Sequence, residues 1–228
     1  MSQILSIETS TKNCSVALAR NGHVVAYRAD GSEQLNHAEK LHVFIAEIMA
    51  ESHVSFDALD AISVSEGPGS YTGLRIGVST AKGLAYAKSI PLIAVNTLKA
   101  MTSVLFKGDA SQLLIPMIDA RRMEVFCAGF DGAGKPIFDT RAEILSTESF
   151  PEGKDYREVL YFGNGAEKCQ PMLQHDTRFR FVPNVVASAE GMAALAHQRF
   201  LANNFVDLAY FEPFYLKDYV AGKGKKVV

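Results

Sequence analysis

The sequence predicts an α/β protein of two lobes, each built on a mixed sheet whose first three strands are antiparallel. Three observations predict it. Short apolar runs of strand length alternate with longer amphipathic segments of helical period. A succession of strand, polar corner, strand, turn and strand occurs twice, at a separation of roughly 110 residues, well above the 20 to 50 of stacked repeats. The 228 residues, 48% of them hydrophobic, can bury one large core or two smaller joined ones. On this reading residues 1–107 form the first lobe and 108–220 a smaller second lobe. The Gly- and Lys-rich end, 221–228, is predicted to be a flexible tail.

The elements follow in order. An apolar run from Gln3 to Ile7, a polar turn at Thr9 to Asn13, and runs at Cys14 to Arg20 and His23 to Ala29 read as three strands. Asn21-Gly22 joins the last two as a hairpin, because a type I′ turn needs positive φ at both central residues. Leu41, Phe44, Ile45, Ile48 and Met49 recur at helical spacing within Asn36 to Ser52. A short buried strand at Ala61 to Ser65 and a Gly-Pro-Gly loop at Glu66 to Ser70 precede a second long helix, Thr72 to Lys88, with Thr72 as its N-cap. A strand at Pro91 to Val95 and a helix from Thr97 to Phe106 complete the first lobe. The second repeats the opening with strands at Leu113 to Ile118, Met123 to Phe130 and Ile137 to Leu145. A strand near Val159 to Phe162, a Gly163-Asn164-Gly165 turn, and helices at Ala166 to Leu173 and Ser188 to Ala202 follow. Each half resembles ribonuclease H topology, and the pair resembles the actin-like (ASKHA) architecture.

Composition removes several function classes. A net charge of −2 gives no electrostatic surplus for gripping RNA unaided. Cys14, Cys127 and Cys169 stand far apart with no C-x-x-C pair, so they read as buried hydrophobes and not as a disulfide or zinc framework. No basic stretch leads into a long apolar core at Met1 and no run is long enough to span a bilayer, which predicts a cytoplasmic chain without a membrane partner. Glu8 and Asp119 end the first strand of each half, where a two-lobed enzyme would hold carboxylates. Solvated or turn-capping roles are the simpler reading of both. His37 and His42, five apart, do not make the i, i+4 pair of a zincin helix and read as a solvated face. No G-x-S-x-G elbow is present.

The most unusual segment runs Gly67-Pro68-Gly69-Ser70-Tyr71-Thr72-Gly73. Its spacing fits neither the dinucleotide fingerprint nor a P-loop, which leaves a tight turn feeding a helix as the favoured reading over a phosphate cradle. In the helix that follows, Gly73, Gly77, Ala81 and Ala85 form one row of small residues and Ser79, Gly83 and Ala87 a second. Interior glycines cost a helix about 1 kcal/mol each. Two small-residue faces exceed what one internal neighbour needs, so a helix-mediated subunit interface is expected.

Ile4 to Thr11, Gly67 to Gly77, Ile115 to Val125 with its Asp119-Ala120-Arg121-Arg122 corner, and Pro213 to Leu216 together resemble the TsaB (YeaZ) family, in family order across nearly the whole chain. The resemblance implies an actin-like accessory subunit of tRNA threonylcarbamoyladenosine synthesis. It further implies a heterodimer with the catalytic paralogue TsaD, association with TsaE, a functional link to TsaC, and tRNA met only through the complex. Gly67, Pro68, Gly69, Thr72, Asp119, Arg121 and Arg122 are the residues of its motif loops. Where TsaD carries two metal-holding histidines, the matching positions here are Thr97 and Met101, neither of which replaces an imidazole. The chain is therefore expected to be non-catalytic and to bind no cofactor alone, ATP or ADP and metal belonging to the complex. Glu8 stands where the family more often has Asp. The family contact runs through the first two long helices, which places Leu41, Ile45, Ile48, Gly73, Gly77 and Ala81 near the TsaD interface, with a homodimer through the same helices when alone. An autonomous kinase, ATPase or peptidase of the same fold, and a generic interaction module, are the rival readings.

Overall fold

The structure, a computed structural model, describes residues 1–32 and 37–217. The tail at 221–228 and Asn36, the expected start of the first helix, lie outside the described residues. The first sheet takes β1 (Gln3–Glu8), β2 (Cys14–Arg20), β3 (His23–Asp30), β4 (Ala61–Gly67) and β5 (Leu92–Asn96) in the order β3-β2-β1-β4-β5. The second takes β6 (Asp109–Asp119), β7 (Glu124–Gly132), β8 (Pro136–Ile144), β9 (Glu158–Phe162) and β10 (Phe179–Val182) in the equivalent order β8-β7-β6-β9-β10. In each, the first three strands are antiparallel and the last two parallel. The duplication read from the sequence is thus a duplication of topology.

Asn21 and Gly22 both have positive φ, 49° and 81°, and Arg20 pairs with His23 across them, as a two-residue hairpin requires. Two helices cover the outer face of the first sheet: α1 (His37–Glu51) and α2 (Tyr71–Lys88). Leu41, Ile45 and Ile48 of α1 and Val78, Ala81 and Ala85 of α2 pack with Leu5, Ile7, Val16, Leu18, Ile62 and Val64 of the sheet. The N-cap of α2 is Ser70, whose Oγ accepts from Gly73 N, and not Thr72, which lies inside the first turn. Ser precedes the helix at the position where its side chain can reach back to a free N–H.

The two sheets separate between Asn96 and Asp109, but the helices do not follow that division. The helix α3 (Thr97–Ser103), from the first half, packs Leu98 and Met101 on Leu114, Ile118, Ala128 and Phe130 of the second sheet. The short α4 (Gln170–Leu173) stays in the second lobe, continuing a 3-10 turn at Glu167–Cys169. The last helix, α5 (Ala189–Leu201), returns to the first sheet and packs Met192 and Ala196 on Ile4, Ala61, Ile93 and Val95. The halves exchange one helix each. Their helices meet at Gly191, where a Cβ would lie 2.4 Å from Ala100 O and where Ser103 Oγ donates to Gly191 O at 2.6 Å.

Beyond α5 the chain runs back over both lobes. Val206 N donates to Leu92 O, Lys82 Nζ holds the carbonyls of Ala209 and Phe211, and Phe214 N donates to Glu66 O at 2.7 Å. Tyr215 stacks on Tyr71 with centroids 4.9 Å apart, and Lys217 pairs with Glu124 of the second lobe. Residues 206–217 thereby form a strap between the lobes.

Candidate functional site

The duplication places two equivalent corners, 9–13 between β1 and β2 and 120–123 between β6 and β7. In the first, Thr9, Ser10, Thr11 and Asn13 are all buried. Thr9 Oγ1 donates to Gly73 O at 2.8 Å and Ser70 N donates to Ser10 O at 2.6 Å, so the corner is sewn to the start of α2. The glycines of the Gly-Pro-Gly loop are explained by this contact. A Cβ on Gly69 would lie 2.3 Å from Ser10 O, one on Gly73 2.1 Å from Thr9 O, and one on Gly77 2.2 Å from Thr9 Oγ1. The β1–β2 corner fills the space against these glycines. Gly67, at φ 111° before the cis bond to Pro68, takes the carbonyl of Phe214 against its bare Cα.

Glu8 lies beneath this corner and is completely buried, which overturns the solvated reading. Its Oε1 accepts from Ser10 N at 2.6 Å and from Ser65 Oγ at 2.9 Å, while Oε2 has no partner. Burial drives the Glu8 carboxyl up from its ordinary value, the hydrogen bonds from Ser10, Ser65 and Thr9 opposing it. The Glu8 side chain, enclosed on every side, is not open to a substrate. His37 is likewise buried and not solvated, its Nε2 2.8 Å from Thr11 O, whereas His42 is exposed as expected. All three cysteines are free and buried, with the Cys14 thiol pushed up to about 11 and those of Cys127 and Cys169 to about 12, chiefly by burial.

The second corner is open. Asp119, Arg121 and Arg122 are exposed, and Arg121 and Arg122 both hold positive φ, 69° and 50°. Left-handed backbone costs a residue with a Cβ roughly 1–2 kcal/mol. Lys168 braces the turn from the facing element. Its Nζ donates to Asp119 Oδ1, to Arg122 O at 2.8 Å and to Glu124 O at 2.6 Å. Asp119 Oδ1 also accepts from Arg121 N at 3.0 Å. Beside the first corner lies a cavity of about 200 Å³ lined by Thr11, Lys12, Asn13, Gly31, Asn164, Val186 and Ala187.

The remaining expected site residues separate by helix face. Leu41, Ile45, Ile48, Gly73, Gly77 and Ala81 are all buried in this chain's own core. Thr72 is exposed. The exposed faces of the same two helices carry Val43, Ala46 and Ala50 on α1 and Ser79, Gly83 and Ala87 on α2. A Cβ on Gly83 would meet nothing within 4 Å. The sequence named this second small row but gave no means of telling which row faced in. Thr97 and Met101 are buried against the second lobe, Thr97 Oγ1 without a hydrogen-bond partner. Among the described residues no group of three or more His, Cys, Asp or Glu could hold a metal ion, and no helix is long and apolar enough to cross a membrane.

Two topologically duplicated lobes that exchange helices define a protein of the actin-like (ASKHA) class. An activator of 2-hydroxyisocaproyl-CoA dehydratase from Clostridium difficile shares the fold at a TM-score of 0.50 and 7% identity, covering 89% of this chain and 96% of its own. Residues 32–224 match the family model described as TsaD, tRNA N6-adenosine threonylcarbamoyltransferase. The tRNA threonylcarbamoyladenosine biosynthesis protein TsaB of Escherichia coli K12 is 31% identical, with 97% of each chain covered. That of Haemophilus influenzae is 28% identical over 96% of this chain and 95% of its own. A Pseudomonas aeruginosa protein described as similar to peptidase YEAZ superposes with a TM-score of 0.82 at 26% identity, covering 95% of this chain and all of that one. The chain belongs to the TsaB (YeaZ) family.

Proposed function

We propose that this chain is a non-catalytic subunit of tRNA threonylcarbamoyladenosine synthesis that pairs with its catalytic paralogue TsaD through the outer faces of α1 and α2. The observation that carries the reading is Gly83. An interior helical glycine costs about 1 kcal/mol relative to alanine, and no described residue approaches closely enough to require it. A partner backbone lying on the Ser79, Gly83 and Ala87 row, with Val43, Ala46 and Ala50 beside it, supplies the missing reason. The same face serves a homodimer when TsaD is absent. Catalysis then belongs to TsaD, in keeping with Thr97 and Met101 at the positions of its histidines and with Glu8 sealed in the core. Nucleotide and metal are assigned to the complex with TsaD and TsaE, fed by TsaC. The setting is the cytoplasm, where these partners and tRNA meet.

The test is Gly83→Leu, with TsaD from the same organism and light scattering as the readout. The parent chain gives a one-to-one heterodimer. The variant gives two separate proteins, while its melting temperature holds or rises because leucine is the better helix former. A heterodimer that survives Gly83→Leu sinks this interface. Turnover of ATP or cleavage of a peptide by the purified chain would favour the autonomous-enzyme rival.

A further inference from the structure

The β6–β7 corner carries a charge excess that neither the fold nor the partner face uses. Its two acidic residues are each taken by a lysine, Asp119 by Lys168 and Glu124 by Lys217. Arg121 and Arg122 remain, exposed and with no ion pair among the described residues. A chain whose net charge is −2 thus concentrates two uncompensated guanidinium groups on one turn. The turn is also built against local preference, since both arginines hold left-handed backbone that Asn and Gly adopt far more readily. The first lobe uses that cheaper pair, Asn21-Gly22, at its own left-handed turn. Lys168 donates to the backbone carbonyls of Arg122 and Glu124 and to the Asp119 carboxylate, which itself accepts from Arg121 N, and these contacts fix the backbone of the turn. Strained residues braced from below, with their charges left open, are the pattern expected where a side chain is held ready for a ligand.

We propose that this corner is a phosphate-binding site, in which Arg121 and Arg122 engage phosphates of an RNA backbone. The guanidinium fork matches a phosphate by paired N–H donors, and a point of excess positive charge steers a polyanion. The choice of RNA rests on the tRNA-directed reading above. Two phosphate contacts give weak binding by this chain alone, so the corner acts as an orienting contact within a larger assembly.

The experiment compares the full chain with Arg121→Asn/Arg122→Gly, which removes both charges and installs residues suited to the backbone. Binding of an unmodified tRNA transcript and, separately, of inorganic tripolyphosphate is measured across a salt series, with heterodimer formation with TsaD followed in parallel. The site predicts that the substitution weakens tRNA binding at low salt by about tenfold or more and lowers the slope of log K against log salt by about 1.5, for two phosphates at 0.7–0.9 each. The melting temperature holds or rises, which excludes unfolding as the cause, and Arg121→Lys/Arg122→Lys retains most of the salt slope. An unchanged tRNA slope overturns the proposal. So does an effect confined to tripolyphosphate, which would assign the corner to a nucleotide, or one confined to TsaD association, which would assign it to an acidic protein surface. A chain that pairs with TsaD yet shows no change in slope refutes this site and leaves the subunit reading intact, whereas loss of pairing by the parent chain refutes the reading itself.

Discussion

The two hairpin corners occupy the same place in the duplicated topology and have opposite physical characters. At 9–13 the side chains other than the exposed Lys12 are short, uncharged and buried, and glycine at 69 in the loop and at 73 and 77 in the helix lets the two segments touch. At 120–123 two long, charged side chains, Arg121 and Arg122, are exposed, and Lys168 braces the turn. One corner has become packing and the other has remained surface. Of two topologically equivalent corners one is thus closed by contact and the other is open, and each fails in a different way when disturbed.

The closed corner is the less forgiving. Gly73→Ala places a methyl group 2.1 Å from Thr9 O, and neither the strand end nor the first turn of α2 has room to withdraw. Overpacking of this kind costs about 3 kcal/mol, and chemical denaturation of the variant should show a loss of that size. Gly77→Leu meets Thr9 Oγ1 in the same way and is expected to unfold the chain instead of testing its partners. Gly83→Ala, on the outer row of the same helix, should stabilise by up to about 1 kcal/mol. A mild effect at Gly73 would mean that the first corner is held by its hydrogen bonds and not by close packing.

Glu8 sharpens the comparison through pH. Its carboxyl is raised by burial, so the native state keeps a proton that the unfolded state releases. The contribution to stability is therefore greatest below the ordinary carboxylate value and is lost as pH rises toward the folded value, by up to about 1.4 kcal/mol per pH unit. Glu8→Gln preserves an oxygen for Ser10 N and Ser65 Oγ and carries no charge in either state. The variant should be more stable than the parent at pH 8, should match it near pH 4, and should show no carboxylate-linked decline between. A parent whose melting temperature is level from pH 5 to pH 8 would contradict the sealed-carboxyl account. Asp119, the equivalent residue of the open corner, is exposed and paired with Lys168.

Legibility in the sequence followed the same division. Period-2 apolar runs, Asn21-Gly22 and the repeated strand succession announced the sheets and their duplication, because those signals are local. Three features that depend on distant partners were not visible. The strand Phe179–Val182 is only four residues long and is recognisable as a strand because it pairs with β9 and stacks Phe179 and Phe181 on Tyr161. The burial of Glu8 and His37 is imposed by the corner that folds over them. The inward row of α2 could be told from the outward one only when Thr9 was in place, since both rows are small and regularly spaced. Gly67 and Gly69 stood out by their spacing, and Asp119, Arg121 and Arg122 through the family resemblance. What each does, a backbone contact in the first lobe and an exposed, braced turn in the second, needed the fold.

The smallest effect belongs to the open corner, where Lys168→Met keeps most of the aliphatic stem and removes the ammonium. Asp119 is about half exposed, so its lost ion pair is screened by solvent and contributes little. The carbonyls of Arg122 and Glu124 lose a charged donor, and Arg122 loses the contact that holds its left-handed backbone. A destabilisation of about 1 kcal/mol is expected, a shift in melting temperature of roughly 2–4 °C for a chain of this size. The sharper readout is local. Amide exchange at 120–124 should accelerate in the variant while 9–13 stays protected, because the closed corner is fixed by packing that does not involve the lysine. Unchanged exchange at 120–124 would mean that pairing of β6 with β7 alone shapes the turn, and the arginines would then be held by the sheet and not by the brace.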